Sequence, residues 1–474
     1  MNGPGQALHS RYNPVGEAER YVESLALSPE LRFLILLEPG LGYMIPPLKK
    51  RLPNARIIAL HAEAPGGDAA ARPDAAWDPA RPGSLREFLE EQIPDTQSRY
   101  IKVIEWRPGL GRYGEGYLKL LAEAAEFIKQ GDANQRTTEA FGRRWVKNFF
   151  KNLSIIRRVC LPARVSLPLV LAGAGPGLEE TTPLIAARRD SLFVLAVSSS
   201  LMALKTGAVV PDMVISADGG NWALLHLFEY VRLGAYPPLA LCLSAALPSR
   251  CGEAPLLPVS DGSLWQTLIL NRLGIPFITL PQRGTVAASA LDLALLLTGR
   301  EIFLAGLDFS HRDIRSHARP YALDRLQEEG ANRLNPLYRQ RFFRSSAIAA
   351  GGSHGIYAAW FKEQINKQPG RIYPLGDDSL SGAVPPATGR SGGAGEAGAA
   401  LRAPFRTASL PAPDPRAAGL LALGEALEAP RLGERLRAEL GPLLFPGREE
   451  DRRGQKEGRR GNLLEELRGI LRHG

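Results

Sequence analysis

The strongest constraint on the fold is a short apolar run that ends in a turn of small residues, PLVLAGAGPGL at positions 168–178. A wholly apolar run such as Leu169–Ala172 is typical of a parallel β-strand that is covered on both faces. The glycines permit a tight turn, and a helical pattern begins at about Leu178. A strand, glycine turn and helix in this order predict a phosphate-binding α/β unit, because the backbone N–H groups of the turn and the helix N-terminus attract anions.

Two further strands, at residues 192–197 and 213–217, place polar side chains at their carboxyl ends. Ser198 follows the first of them, and Asp218 and Asn221 follow the second. Ligands of open α/β sheets bind outside the carboxyl ends of the strands, so these side chains are expected at one crevice with the glycine turn. The nucleotide-binding residues predicted there are Gly173, Gly175, Pro176, Gly177, Ser198, Asp218 and Asn221.

The alternation of strands and helices continues beyond this region. A second small turn, RGT at 283–285, opens an apolar helix and adds Gly284 and Thr285 to the predicted nucleotide-binding residues. Asp308 follows a later strand as Asp218 follows an earlier one. A carboxylate in such a place can bind a ribose hydroxyl, hold Mg²⁺ against a pyrophosphate or orient an acceptor. The predicted fold class is α/β, with a Rossmann-like parallel sheet covered by helices on both faces.

Five segments of this region carry a recognisable pattern. They are GAGPGL at 173–178, SSLMALKTGAVVPD at 199–212, SAD at 216–218, RGTVAASA at 283–290 and IFLAGLD at 302–308, with His317 after them. This pattern resembles the motility accessory factors, bacterial flagellin glycosyltransferases that share a core with the archaeal-type 6-hydroxymethylpterin diphosphokinases, or MptE-like proteins. The resemblance covers about residues 140–380 and is weaker before them. Gly177 stands where the family turn usually carries Ser, so one hydroxyl near the expected phosphate is missing.

The resemblance implies a bacterial glycosyltransferase that moves a nonulosonic acid from a CMP-linked donor to flagellin Ser or Thr. His317 would then be the catalytic base, since an imidazole titrates near neutral pH, and Asp308 the second catalytic residue. The same core implies an alternative, in which diphosphate passes from ATP to a pterin alcohol with Mg²⁺ on Asp218 or Asp308. A non-catalytic, nucleotide-binding motility accessory protein is a third hypothesis, which the replacement of Ser by Gly177 favours.

The composition changes along the chain indicate the domain organisation. The expected parts are a smaller Rossmann-like α/β N-terminal domain at 1–135, a connecting helix at 136–165, the nucleotide-binding catalytic domain at 166–383 with a polar insertion at 309–360, a Pro/Gly/Ala-rich linker at 384–416 and a helical tail at 417–474. Because such a linker cannot support a packed core, a chain ending near residue 385 is expected to stay folded.

The N-terminal domain carries a glycine turn of its own after its first strand, with Gly40 and Gly42. It superficially resembles a methyltransferase cofactor turn. An acidic residue that would hold a ribose is expected after the second strand, but His61 stands there, with Glu63 two places on. The sequence therefore favours a structural role for this first turn.

Bulk properties narrow the partners and the compartment. A net charge of +9 is compatible with anionic partners such as nucleotides, acidic sugars or a membrane surface, although a general bias in composition also explains it. Three scattered cysteines are too few for a disulfide framework or a metal cage, which is typical of the reducing cytoplasm. No secretory signal or membrane-spanning run is visible. The expected partners are a nucleotide or nucleotide sugar and a protein acceptor, with no nucleic acid.

Overall fold

The chain forms two compact units, one that ends at Gly142 and one that begins at Arg143. The structure is a computed structural model, and it describes residues 7–64, 70–93, 95–161, 164–232, 236–312, 315–340, 342, 353–375, 406–409, 415–444, 463 and 465–469. None of the helices within those ranges is long and apolar enough to cross a membrane.

The first unit contains a four-stranded parallel sheet in the order β3-β2-β1-β4. Its strands are β1 (Phe33–Leu37), β2 (Arg56–Leu60), β3 (Ala75–Trp77) and β4 (Ile101–Glu105), and its helices are α1 (Pro14–Ser24), α2 (Ile45–Arg51), α3 (Leu85–Gln92), α4 (Arg107–Tyr113) and the beginning of α5 (Glu115–Ile155). Every residue of β1 is buried, because alternate side chains enter separate apolar clusters on the two faces of the sheet.

The second unit is built on a ten-stranded sheet in the order β13-β12-β6-β7-β8-β9-β10-β5-β14, with β11 paired to β10. The strands are β5 (Arg158–Leu161), β6 (Leu169–Ala172), β7 (Phe193–Val197), β8 (Met213–Ser216), β9 (Leu239–Cys242), β10 (Pro255–Ser260), β11 (Ile278–Thr279), β12 (Ile302–Ala305), β13 (Ile372–Pro374) and β14 (Arg406–Ser409). All neighbours are parallel except β5 and β14. The α/β, Rossmann-like fold class expected from the sequence is confirmed.

Helices connect these strands and cover both faces of the sheet. They are α6 (Leu178–Ala187), α7 (Leu201–Thr206), α8 (Ala223–Arg232), α9 (Leu264–Arg272), α10 (Val286–Leu297), α11 (Asp324–Glu329), α12 (Ser353–Lys367), α13 (Pro415–Glu428) and α14 (Pro430–Leu444). The most apolar of them, α10, packs against β6, β7 and β8, which explains why most of its side chains are buried. Its first turn follows β11 and therefore lies at the carboxyl edge of the sheet.

The connecting segment differs from the expected single helix at 136–165. A continuous helix of 41 residues, α5, already begins at Glu115, and the chain then enters the sheet as β5. The strand forms because Val159 and Cys160 are buried where β5 pairs with β10 and β14. The boundary between the two compact units falls within α5.

The C-terminal region also differs from the expectation. Strand β14 lies inside the expected linker at 384–416 and pairs antiparallel with β5, while the rest of that linker before residue 415 lies outside the described residues. Helices α13 and α14 pack on each other and on α9. Glu439 of α14 accepts hydrogen bonds from the backbone N–H groups of Leu264 and Trp265, at the first turn of α9. The tail is thus part of the second unit.

A chain ending near residue 385 would lose this docking and the burial that it provides. Replacing the fully buried Leu423 by alanine is expected to cost about 2–5 kcal/mol, because it leaves a cavity between α13 and its neighbours. Leu421, which is 66% exposed on the same helix, is the matched control and should change stability by less than about 0.5 kcal/mol. Chemical unfolding of both variants checks this, and equal stabilities would show that the tail does not contribute to the core.

Candidate functional site

The site is organised by the reversal of strand order between β6 and β12. From β6 the chain continues to β7 on one side, whereas β12 returns to pair on the other side. In a parallel sheet such a switch point opens a crevice at the carboxyl ends of the two strands. The glycine turn follows β6 and the segment Gly306-Leu307-Asp308 follows β12, so two of the predicted motifs meet there.

The two motifs are joined by three backbone-donated hydrogen bonds. The N–H of Gly173 donates to the carbonyl of Ala305 at 2.8 Å, and the N–H of Gly175 donates to the carbonyl of Gly306 at 2.7 Å. The N–H of Gly177 donates to Oδ2 of Asp308 at 2.8 Å. These three donors are already used within the protein, so they do not supply the phosphate cradle that the sequence predicts for this turn.

Glycine is needed at these positions because the Asp308 side chain lies very close to the backbone, and not because the backbone has an unusual φ. Neither Gly175 nor Gly177 has a positive φ, but a Cβ at either position would overlap the carboxylate of Asp308. A serine at position 177 would meet the same obstacle. The Asp308 carboxylate instead caps the N-terminus of α6, where an anion is stabilised by the helix dipole and by the unpaired N–H groups.

The first part of the polar insertion folds over the same helix end. Glu179 accepts hydrogen bonds from Arg315 Nη1 at 2.7 Å and from the backbone N–H of Arg319 at 2.8 Å. Glu180 accepts from Arg312 Nη1 at 2.6 Å. The backbone N–H of Ala318 also donates to the carbonyl of Ala174, in the glycine turn. Residues 309–312 and 315–319, called the crossing segment below, therefore lie at the carboxyl edge of the sheet beside the glycine turn.

His317 lies on this crossing segment, in an aromatic stack that reaches α8. Its ring is stacked on Tyr321 with centroids 4.0 Å apart, and its Nδ1 is 2.8 Å from Ser316 Oγ. The ring of Tyr321 also lies 5.2 Å from that of His226 on α8. Burial lowers the pKa of His226, and the nearby Asp218 carboxylate acts in the opposite direction. His317, Tyr321 and His226 thus form one aromatic cluster.

Asp218 itself forms a tight turn. Its Oδ1 accepts a hydrogen bond from the N–H of Gly220 at 2.7 Å, which forms an Asx turn. Asn221 is exposed beside it, and Ser198 is buried at the end of β7. The amide of Asn148 on α5 donates to the carbonyl of Gly219 at 3.2 Å and thereby holds the loop after β8 against that helix.

The second small turn has a different geometry. Gly284 has φ 73°, and its carbonyl accepts a hydrogen bond from the hydroxyl of Tyr357 at 2.8 Å. Thr285 precedes the first turn of α10, which contains no acidic residue and receives no cap from the Thr285 side chain. The positive end of this helix is therefore not neutralised by its own first turn.

An aromatic contact connects the two turns. Phe309 follows Asp308 and lies against Tyr357, with ring centroids 6.4 Å apart. Its φ of 47° is one that a non-glycine residue rarely adopts, and such strained residues concentrate at functional sites. Asp308 and Gly284 consequently belong to one neighbourhood at the carboxyl edge.

The sequence did not identify several residues that build this edge. They are Asn148, His226, Tyr321 and Tyr357. Asn148 lies three residues after Trp145 on the same predicted helix, and this spacing is the one signal that could have identified it. The other three residues carry no local signal. Within the described ranges, no three His, Cys, Asp or Glu side chains form a group that could hold a metal ion. Asp218 and Asp308 would each offer Mg²⁺ a single carboxylate that already accepts a backbone N–H.

The glycine turn of the first unit is filled by the protein's own side chains. The N–H of Leu41 donates to Nε2 of His9 at 3.0 Å. The buried Glu38 accepts a hydrogen bond from the backbone N–H of Ala62, and its Oε2 is 3.4 Å from Nδ1 of His61. These contacts connect the ends of β1 and β2.

The match to a known family begins at the first residue of the second unit. Residues 143–313 match the family model described as 6-hydroxymethylpterin diphosphokinase MptE-like. An uncharacterized protein of Treponema pallidum (strain Nichols) is 32% identical over 296 residues, which cover 60% of this chain and 63% of that protein. A second uncharacterized protein of the same organism is 28% identical over 372 residues, which cover 70% of this chain and 61% of that protein. The chain thus spans less than two thirds of the length of either relative.

Among solved structures, the MAf glycosyltransferase from Magnetospirillum magneticum AMB-1 has the same fold. The TM-score is 0.50 and the sequence identity 14%, and the match covers 98% of this chain and 87% of that one. Residues 143–313 thus correspond to the MptE-like core expected from the sequence motifs, and the fold is shared with the MAf glycosyltransferase.

Proposed function

We propose that the chain is a glycosyltransferase that moves a nonulosonic acid-type sugar from a CMP-linked donor to a protein hydroxyl, such as a flagellin Ser or Thr. The observation that carries this proposal is that the segment after β12 is tied to the glycine turn at two places. Asp308 accepts a hydrogen bond from Gly177, and Ala318, which follows His317, donates one to Ala174. The acceptor hydroxyl needs a base at the carboxyl edge of the sheet, and the imidazole of His317 is a group that can take up its proton.

The phosphate of the donor is assigned to the first turn of α10. The N–H groups of the glycine turn after β6 are used within the protein, whereas the N-terminus of α10 has no acidic residue in its first turn. Gly284 and Thr285 are then the contacts closest to the phosphate. A single phosphodiester needs less neutralising charge than a triphosphate, and a helix N-terminus suits it.

The chain's own residues have distinct tasks in the transfer. The acceptor oxygen attacks the anomeric carbon of the sugar, the bond between that carbon and the phosphate oxygen breaks, and CMP leaves. The acceptor proton passes to His317, which the stack on Tyr321 and the contact with Ser316 hold in orientation. Asp308 keeps the segment closed on the glycine turn through its bond to Gly177.

Diphosphate transfer from ATP is the second candidate, and the description of the matching family model favours it. Phosphoryl transfer depends above all on neutralising the phosphate charge. The first two arginines after Asp308, Arg312 and Arg315, are engaged with Glu180 and Glu179. That pairing reduces the positive charge they offer to a triphosphate, so glycosyl transfer is the preferred proposal.

Thermal stabilisation by CMP, CDP, GDP, ADP and ATP tests the proposal. A nucleotide at a hundred times its dissociation constant should stabilise the second unit by about 2.7 kcal/mol. Stabilisation by the cytidine nucleotides supports glycosyl transfer, while a response to ATP alone supports the diphosphokinase. If a nucleotide binds but neither transfer reaction occurs, the chain is a nucleotide-binding accessory protein.

A further inference from the structure

A third strand-end carboxylate, Asp261, follows β10 and is held by a network of amides. Its Oδ1 accepts a hydrogen bond from the N–H of Ser263 at 2.9 Å. Its Oδ2 accepts from Nε2 of Gln266 at 2.9 Å and from Nε2 of Gln282 at 3.0 Å. Gln266 is only 1% exposed and also donates to Ser244 Oγ at 3.0 Å. The carboxylate is therefore fixed in orientation by a buried side chain.

The same network places Asp261 next to the start of α10. Strands β10 and β11 are paired at Ser260 and Thr279, so the loops that follow them run side by side. Gln282 lies three residues before Thr285, and three residues span at most about 10 Å. Asp261 is thus joined, through the side chain of Gln282, to the short segment that leads into the helix end proposed for the phosphate.

The charge of Asp261 is not compensated by a basic side chain. Among the described residues, no Lys, Arg or His nitrogen forms a salt bridge with it. Burial raises the pKa of Cys242 to about 12, and the negative charge of Asp261 acts in the same direction. The same charge contributes to the raised pKa of Glu439, for which burial is again the larger cause. A carboxylate offers about four acceptor positions, and three are used here. The remaining one, on Oδ1, suits a hydroxyl donor and repels a phosphate.

We propose, on the basis of the nucleotide site proposed above, that Asp261 binds the ribose hydroxyls of the bound nucleotide and selects ribonucleotides over 2′-deoxyribonucleotides. Carboxylates near the phosphate-binding turn of other dinucleotide-binding sheets bind ribose hydroxyls in this manner. Gln266 and Gln282 are positioning residues, which hold Asp261 without touching the nucleotide.

Titration calorimetry on the full chain tests the assignment with two pairs of ligands, CMP with 2′-deoxy-CMP and ATP with 2′-deoxy-ATP. A hydrogen bond to a charged group contributes about 1.5–3 kcal/mol, so the parent should bind the ribonucleotide at least about tenfold more tightly. Asp261→Asn should reduce that ratio to below about threefold. Gln282→Ala, which keeps the carboxylate but removes one of its holders, should give an intermediate ratio.

The outcomes separate this inference from the proposed function. If a nucleotide binds and the ratio is the same in the parent and in Asp261→Asn, the ribose role is overturned while the nucleotide site stands. If ATP binds in place of CMP, the ATP pair decides the role of Asp261 and the glycosyl donor is rejected. If no nucleotide binds the parent, both proposals fail. Melting curves must first show that each variant is folded, and Gln282→Ala provides the test if Asp261→Asn is not.

Discussion

Replacing His317 by glutamine is expected to lower the turnover of the proposed transfer reaction by about 10²–10⁴-fold, the usual contribution of a general base. Glutamine keeps a polar side chain of similar length, but it cannot take up the proton that the acceptor hydroxyl loses. The affinity for the nucleotide should change little, because the phosphate and the ribose are assigned to α10 and Asp261. Single-turnover rates and calorimetric titration of the same variant measure the two quantities.

His311 supplies the matched control for this variant. It lies on the same segment, but its ring neighbour is His354, with centroids 6.3 Å apart, rather than the stack on Tyr321. His311→Gln should therefore retain most of the activity. An equal loss in both histidine variants would indicate a general disturbance of the segment, and a folded His317→Gln with full turnover would show that the base is another group.

Replacing Gly306 by alanine is expected to destabilise the second unit by about 2–5 kcal/mol. Gly306 has φ 60°, which costs a non-glycine residue about 1–2 kcal/mol. A Cβ there would also lie 2.7 Å from Leu178 Cβ and 2.9 Å from the carbonyl oxygen of Gly173, so overpacking adds about 1–3 kcal/mol. The variant therefore forces the segment after β12 away from the glycine turn. The midpoint of thermal unfolding should fall by about 5–10 °C.

Gly274 separates the two causes of that destabilisation. It has nearly the same φ, 62°, but nothing lies within 4 Å of the position a Cβ would take. Gly274→Ala should thus cost only the backbone term of about 1–2 kcal/mol. Equal losses in Gly274→Ala and Gly306→Ala would mean that the close contact between the two turns does not contribute to stability.

Local pattern was sufficient for the strands and for the turns at their ends. The apolar run Leu169–Ala172 is buried on both faces as β6, and Gly284 does precede a helix that begins at Val286. Both signals are local, since side-chain burial in a central strand requires an apolar run and a positive φ favours glycine. The family resemblance depends on such turns, and it could therefore be recognised in the sequence.

Continuity of α5 is an example of what local pattern could not show. The sequence analysis expected a separate connecting helix from residue 136, and Gly131, just before it, lowers helix propensity by about 1 kcal/mol. In the structure Gly131 lies against Ser98, and the buried Gln135 accepts a hydrogen bond from the Ser98 hydroxyl at 3.1 Å. These tertiary contacts offset the unfavourable propensity, so the helix continues past Gly131. The tail is a similar case, because α13 and α14 pack on α9, which is distant from them in the sequence.

The amino-acid sequence by itself determined the α/β class, the strand ends and the residue types that meet at the carboxyl edge of the sheet. Only the tertiary structure decided which groups those residues bind. The N–H groups of Gly173, Gly175 and Gly177 were expected to hold a phosphate, but strand order brings the segment after β12 beside them and its oxygens take those donors. Hydrogen-bond partners from distant parts of the chain depend on strand order and register, and neither is encoded in the turn itself.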